Sequence, residues 1–119
     1  MMLKRHILLV DDEKALRLLL AAALEYNDYD VDIAENGTQA MQYLDGGSYD
    51  LVITDYMMPE MNGLELTRKI KAQYPSMPVI VMTGTESAYD LLQSEATMCI
   101  AKPFDLFELK DRIQEILKG

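Results

Sequence analysis

The 119 residues carry 11 basic and 20 acidic side chains for a formal net charge of −9, with 50% of the chain apolar and 26% charged. This size and balance suit one globular domain with its own core and exclude a disordered chain. So acidic a surface repels a phosphate backbone, so metal cations and basic protein surfaces are the expected partners and direct nucleic-acid binding is not.

The single cysteine, Cys99, excludes an internal disulfide and fits a reducing compartment. No apolar run approaches the ~20 residues needed to cross a membrane. Met1–Arg5, a basic pair before a short apolar run and two aspartates, lacks the form of a signal peptide. A cytoplasmic protein without membrane insertion is expected.

Ile7–Val10 predicts a buried strand that stops at Asp11-Asp12. A helix over 13–25 follows, with Leu16, Leu19, Leu20, Ala23 and Leu24 at helical spacing and Asp12 as its N-cap. Val31–Ala34 predicts a second strand, Asn36-Gly37 a turn, and Ala40, Tyr43 and Leu44 one face of a helix that Gly46-Gly47 ends. The third strand, Leu51–Thr54, stops at Asp55. Asn62 and Glu65 form a capping box for a third helix with Leu64 and Ile70 inward, bounded by Pro75–Pro78. Val79–Met82 is a fourth strand ending at Thr83, followed by a short helical stretch with Ala88, Leu91 and Leu92. Met98–Ala101 is a fifth strand ending at Lys102. Asp105 and Glu108 then cap a last helix carrying Leu106, Leu109, Ile113, Ile116 and Leu117 on one face.

Alternation of strand and helix predicts an α/β domain over residues 1–119, a parallel sheet covered on both faces. In such a sheet the strand C-termini share one edge. That edge collects Asp11, Asp12, Asp55, Thr83 and Lys102 from four separate strands. Two carboxylates about 4 Å apart repel by roughly 4 kcal/mol at an effective dielectric near 20. A cation is therefore expected among three of them, and without it one carboxyl with a raised pKa. Oxygen donors with no His or Cys nearby suit Mg²⁺, with Mn²⁺ a possible substitute. An aspartate oxygen can attack phosphorus when a metal and a cation neutralise the transferring group. Asp55 is the expected acceptor, with Lys102 and Thr83 bonding phosphoryl oxygens.

With Leu9–Glu13, Asp55–Gly63, Thr83-Gly84 and Lys102-Pro103-Phe104 in this order, the chain resembles the receiver domains of two-component response regulators, of the chemotaxis-regulator kind. The resemblance implies a flavodoxin-like, doubly wound five-stranded sheet of order 2-1-3-4-5, a (βα)5 fold with a short fourth helix. It implies a phosphohistidine donor on a histidine kinase or phosphotransfer protein, and a signal relayed by protein contacts to a downstream target rather than by enzymatic turnover. It implies Asp12 as a direct Mg²⁺ ligand, Asp11 as one largely through water, the Met57 carbonyl completing the metal shell, and a cis Lys102–Pro103 bond. Met57 and Thr85 would flank the acceptor and tune water access, Met57 shielding the aspartyl phosphate.

Two departures bear on output. Cys99 stands where receivers carry an aromatic ring that swings inward, and the stretch from Thr83 to Lys102 is about three residues short, close to one helical turn. Readout on the face of the fourth helix, fifth strand and last helix is therefore expected to be atypical. Alternatives are a haloacid-dehalogenase-type enzyme, disfavoured because the acids after the first strand are adjacent, and a flavin carrier, whose phosphate an acidic first loop would repel. A pseudo-receiver acting only as a binding module is the third. The last predicted helix runs almost to Gly119, so no output domain is expected within this sequence. A stand-alone regulator and the receiver of a larger protein both fit, as monomer or weak dimer.

Overall fold

In a computed structural model, residues 4–84 and 95–118 are described. They form β1 (His6–Val10), α1 (Lys14–Tyr26), β2 (Asp30–Ala34), α2 (Gly37–Gly46), β3 (Leu51–Asp55), α3 (Gly63–Gln73), β4 (Val79–Thr83), β5 (Met98–Ala101) and α4 (Leu106–Leu117). The short helical stretch expected at Ala88, Leu91 and Leu92 lies outside the described residues, as does Thr85.

All five strands are parallel, in the expected order β2-β1-β3-β4-β5. Side chains alternate across a strand, and the central strands are apolar at both parities, so each sheet face has its own core. Leu8, Val10, Val52, Val79 and Val81 pack with Ala40 and Leu44 of α2 and Leu66 and Ile70 of α3. Ile7, Leu9, Leu51, Ile53, Ile80 and Met82 pack with Leu20 and Leu24 of α1 and Leu109 and Ile113 of α4. Full burial of each such side chain is worth about 1.5–3 kcal/mol, and this layering holds the strand ends at a common edge.

Local chemistry corrects several expectations. The buried stripe of α1 is Arg17, Leu20, Ala21 and Leu24, whereas Leu19 is 58% exposed. A run of leucines hides the true face, since nearly every register through it is apolar. The N-cap of α1 is Glu13, without a side-chain cap bond; the Glu13 N–H donates instead to Asp11 Oδ1 at 2.9 Å. Asn36 is a helix cap, not a turn residue: its Oδ1 accepts from Gln39 N at 2.8 Å. The Asn62–Glu65 capping box is present in full. At α4 the structure has the Asp105 half, its carboxylate accepting from Glu108 N at 2.7 Å.

Candidate functional site

Backbone pairing continues one residue past several strands and fixes the polar residues there. Asp11 N donates to Ala34 O at 3.1 Å, Tyr56 N to Met82 O at 2.9 Å, and Lys102 N to Thr83 O at 2.7 Å. Asp11, Asp55 and Lys102 are thereby set at the same edge, with Thr83 closing β4 beside them. The Lys102–Pro103 peptide is cis, as expected.

Asp11, Asp12 and Asp55 each present a carboxylate oxygen, and these oxygens lie within 4.8 Å of one another. Asp12 is exposed, but Asp11 is fully buried and Asp55 nearly so. Lys102 Nζ donates to Asp55 Oδ1 at 2.8 Å, as does the Tyr56 N–H at 3.0 Å. Thr83 is 2% exposed. Below the acceptor, Thr54 Oγ1 donates to the Asp55 carbonyl at 3.0 Å. Gly63 N donates to Tyr56 O at 2.8 Å, and a Cβ at position 63 would come within 2.6 Å of the Asp55 carbonyl oxygen. Met57 is 67% exposed.

The Asp11 carboxyl is raised above its ordinary value, as expected for one of the acids. Burial is the largest cause; the Glu13 N–H and Lys102 pull the other way, and Asp55 and Asp12 push further up. Repulsion among the acids, the expected cause, is thus secondary to desolvation.

The residues fit a hard divalent cation. Asp11 Oδ2 is buried without a hydrogen-bond partner among the described residues, which costs roughly 1–3 kcal/mol or more for a charged group. A metal ligated by oxygens alone removes that penalty and suits Mg²⁺ chemistry.

The sequence reading missed Arg17, only 6% exposed, whose Nη1 donates to the Asp11 carbonyl at 2.8 Å. Its signal was a lone cation three, four and seven residues before Leu20, Ala21 and Leu24. Cys99 is half-buried against the α2–α3 side of the core, and burial pushes its thiol up to about 11.

The model of the response regulator receiver domain family matches residues 7–114. The chain belongs to that family. The receiver is 38% identical over 115 residues to the response regulator ArlR of Staphylococcus saprophyticus, covering 94% of this chain and 52% of ArlR. It is 39% identical over 116 residues to the sensor protein EvgS of Escherichia coli K12, covering 95% of this chain and 10% of EvgS. The chain thus spans about half the length of ArlR. Among solved structures it resembles the response regulator TrrA of Thermotoga maritima, crystallised in complex with Mg(2+)-BeF, with TM-score 0.89 and 36% identity over 95% of this chain and 99% of that one. The receiver is a flavodoxin-like signalling domain of two-component systems, a family that works with histidine kinases and downstream effectors. No helix among the described residues is long and apolar enough to cross a membrane.

Proposed function

We propose that Asp55 is the phospho-acceptor of this receiver, taking a phosphoryl group from the phosphohistidine of a histidine kinase or phosphotransfer protein. The observation that carries the reading is the 2.8 Å contact of Lys102 Nζ with Asp55 Oδ1, beside two further carboxylates. Both described bonds of the Asp55 carboxylate fall on Oδ1, which favours Oδ2 as the oxygen that attacks phosphorus. The Oδ2–P bond forms as the donor's N–P bond breaks, and the electron pair of that bond leaves on the donor imidazole. Lys102 supplies a compact cation to one phosphoryl oxygen, and Thr83 donates its hydroxyl to another. The tightly paired backbone around Asp55 holds the acceptor in place, and positioning is much of what phosphoryl transfer requires.

Asp12, Asp55 and the Met57 carbonyl would hold Mg²⁺ directly and Asp11 largely through water, with Mn²⁺ able to substitute. When bound, the ion neutralises charge on the carboxylates and the transferring group.

An apolar groove of about 440 Å³ runs from Lys102 between Leu16, Leu19 and Leu20 of α1 and Phe104 and Leu106. The site lysine forms part of its wall, and we take the groove as the seat of the phosphoryl donor. Residues 1–119 are read as one cytoplasmic receiver domain, monomer or weak dimer. It passes its signal to a downstream protein and makes no direct nucleic-acid contact, in keeping with a net charge of −9.

Intact mass after incubation with acetyl phosphate, with and without Mg²⁺, tests the acceptor. One Mg²⁺-dependent phosphoryl adduct is expected on the wild type and none on Asp55→Asn. No wild-type adduct, with Mg²⁺ binding retained, would favour a phosphorylation-independent binding module.

A further inference from the structure

Among the described residues, Arg17 is the buried cation. It lies in the buried stripe of α1, 6% exposed, where a charge is costly unless its donors are used. Its partners are unusual for a buried arginine. Nη1 donates to the backbone carbonyl of Asp11 at 2.8 Å, Nη2 lies 3.8 Å from Glu35 Oε1 just beyond β2, and Nε is buried without a partner. The described hydrogen bond of Arg17 goes to the main-chain oxygen between the two adjacent acids of the site rather than to a carboxylate.

The remaining bonds of Asp11 show what that achieves. Its N–H donates to Ala34 O at 3.1 Å, its Oδ1 accepts from Glu13 N at 2.9 Å, and its carbonyl accepts from Arg17. Three of its polar groups are thus committed, and Oδ2 is left buried and unpartnered. The orientation of the 11–12 peptide sets where both side chains point, and the Arg17 fork is the side chain bonded to that peptide's oxygen. The guanidinium is rigid and planar, and with Nη1 on the Asp11 carbonyl and Nη2 toward Glu35 its orientation is held from two sides.

We infer that Arg17 is a positioning residue for the metal site, aiming the Asp11–Asp12 peptide through the Asp11 carbonyl and tying that aim to the β2–α2 loop through Glu35. The inference rests on the reading of the acidic cluster as a Mg²⁺ site. Residues that orient metal ligands from behind change affinity by about 10–100-fold when lost.

The test is the Mg²⁺ dissociation constant by calorimetry for wild type, Arg17→Met, Arg17→Lys and Glu35→Gln, with the melting temperature of each in EDTA. Arg17→Met is expected to weaken Mg²⁺ binding about tenfold, with a smaller loss for Arg17→Lys, which keeps one donor and the charge, and the smallest for Glu35→Gln. Phosphorylation by acetyl phosphate should be rescued in these variants by raising Mg²⁺. A lowered melting temperature with an unchanged Mg²⁺ constant would make Arg17 merely structural and overturn the inference. Should Arg17→Met fail to fold, Arg17→Lys decides: a weakened constant supports the role and a wild-type constant overturns it. Wild-type protein that binds no Mg²⁺ would overturn this inference together with the functional reading, whereas wild-type binding that the variants share overturns this inference alone.

Discussion

The two ends of the sheet are both rich in polar side chains, but they differ in how completely those side chains are bonded. At the N-terminal end, His6 Nε2 lies 2.9 Å from Asp32 Oδ2 and its Nδ1 2.9 Å from the Ser48 carbonyl. Tyr49 OH donates to the same Asp32 oxygen at 2.7 Å, the His6 and Tyr49 rings stack at a tilt, and His6 N donates to Asp50 Oδ2 at 2.8 Å. The pieces close on one another. At the C-terminal end a buried carboxylate oxygen has no partner and three acids crowd within 4.8 Å. A polar cluster is therefore not a site by virtue of polarity; the C-terminal one leaves a buried acceptor unpaired among the described residues, whereas the N-terminal one holds β1, β2 and the approach to β3 together.

This contrast predicts opposite signs for removing a charge at each end. The largest effect is expected at the closed end: Asp32→Ala removes the shared acceptor of two half-buried contacts and should cost about 1–1.5 kcal/mol in urea denaturation, independent of Mg²⁺. Loss of stability that varied with Mg²⁺ would mean the two ends are coupled. At the open end, Asp12→Ala should stabilise the metal-free protein by about 1 kcal/mol and abolish the rise in melting temperature on adding Mg²⁺. A destabilised variant in EDTA would show that the acids are not under mutual strain.

The smallest effect lies in pH. Because burial raises the Asp11 carboxyl above 3.8, its ionised form weighs against the metal-free folded state at neutral pH. That burden is relieved as pH falls through the raised value toward the ordinary one. Asp11→Asn should therefore melt higher than wild type in EDTA at about pH 7, and the gap should narrow on acidification. A constant gap would remove Asp11 from the account.

Much of this was legible in the residues. Strands covered on both faces are apolar without interruption, so Ile7–Val10, Leu51–Thr54 and Val79–Met82 announce themselves, and a polar residue closing each run marks the shared edge. What escaped were choices made by single hydrogen bonds. Asp11 takes the Glu13 N–H and displaces Asp12 as the expected cap of α1, and Asn36 accepts from Gln39 and becomes a cap. The inner face of α1 was obscured because Leu18, Leu19 and Leu20 are interchangeable to a periodicity argument, and only a neighbour in space tells them apart. Arg17 shows the complementary case, a residue whose oddity is visible in the sequence but whose purpose depends on a carbonyl six positions back.

Gly63 has a practical consequence for anyone wishing to observe this receiver at work. Its α-carbon is so close to the acceptor's main chain that a methyl group would fall 2.6 Å from the Asp55 carbonyl oxygen and 2.9 Å from Tyr56 Cα, backbone atoms with nowhere to retreat. A fluorophore or spin label tethered at 63 would wedge α3 away from β3 and report its own intrusion. Tyr26, 89% exposed at the C-terminal end of α1, gives a tethered reporter open solvent to occupy.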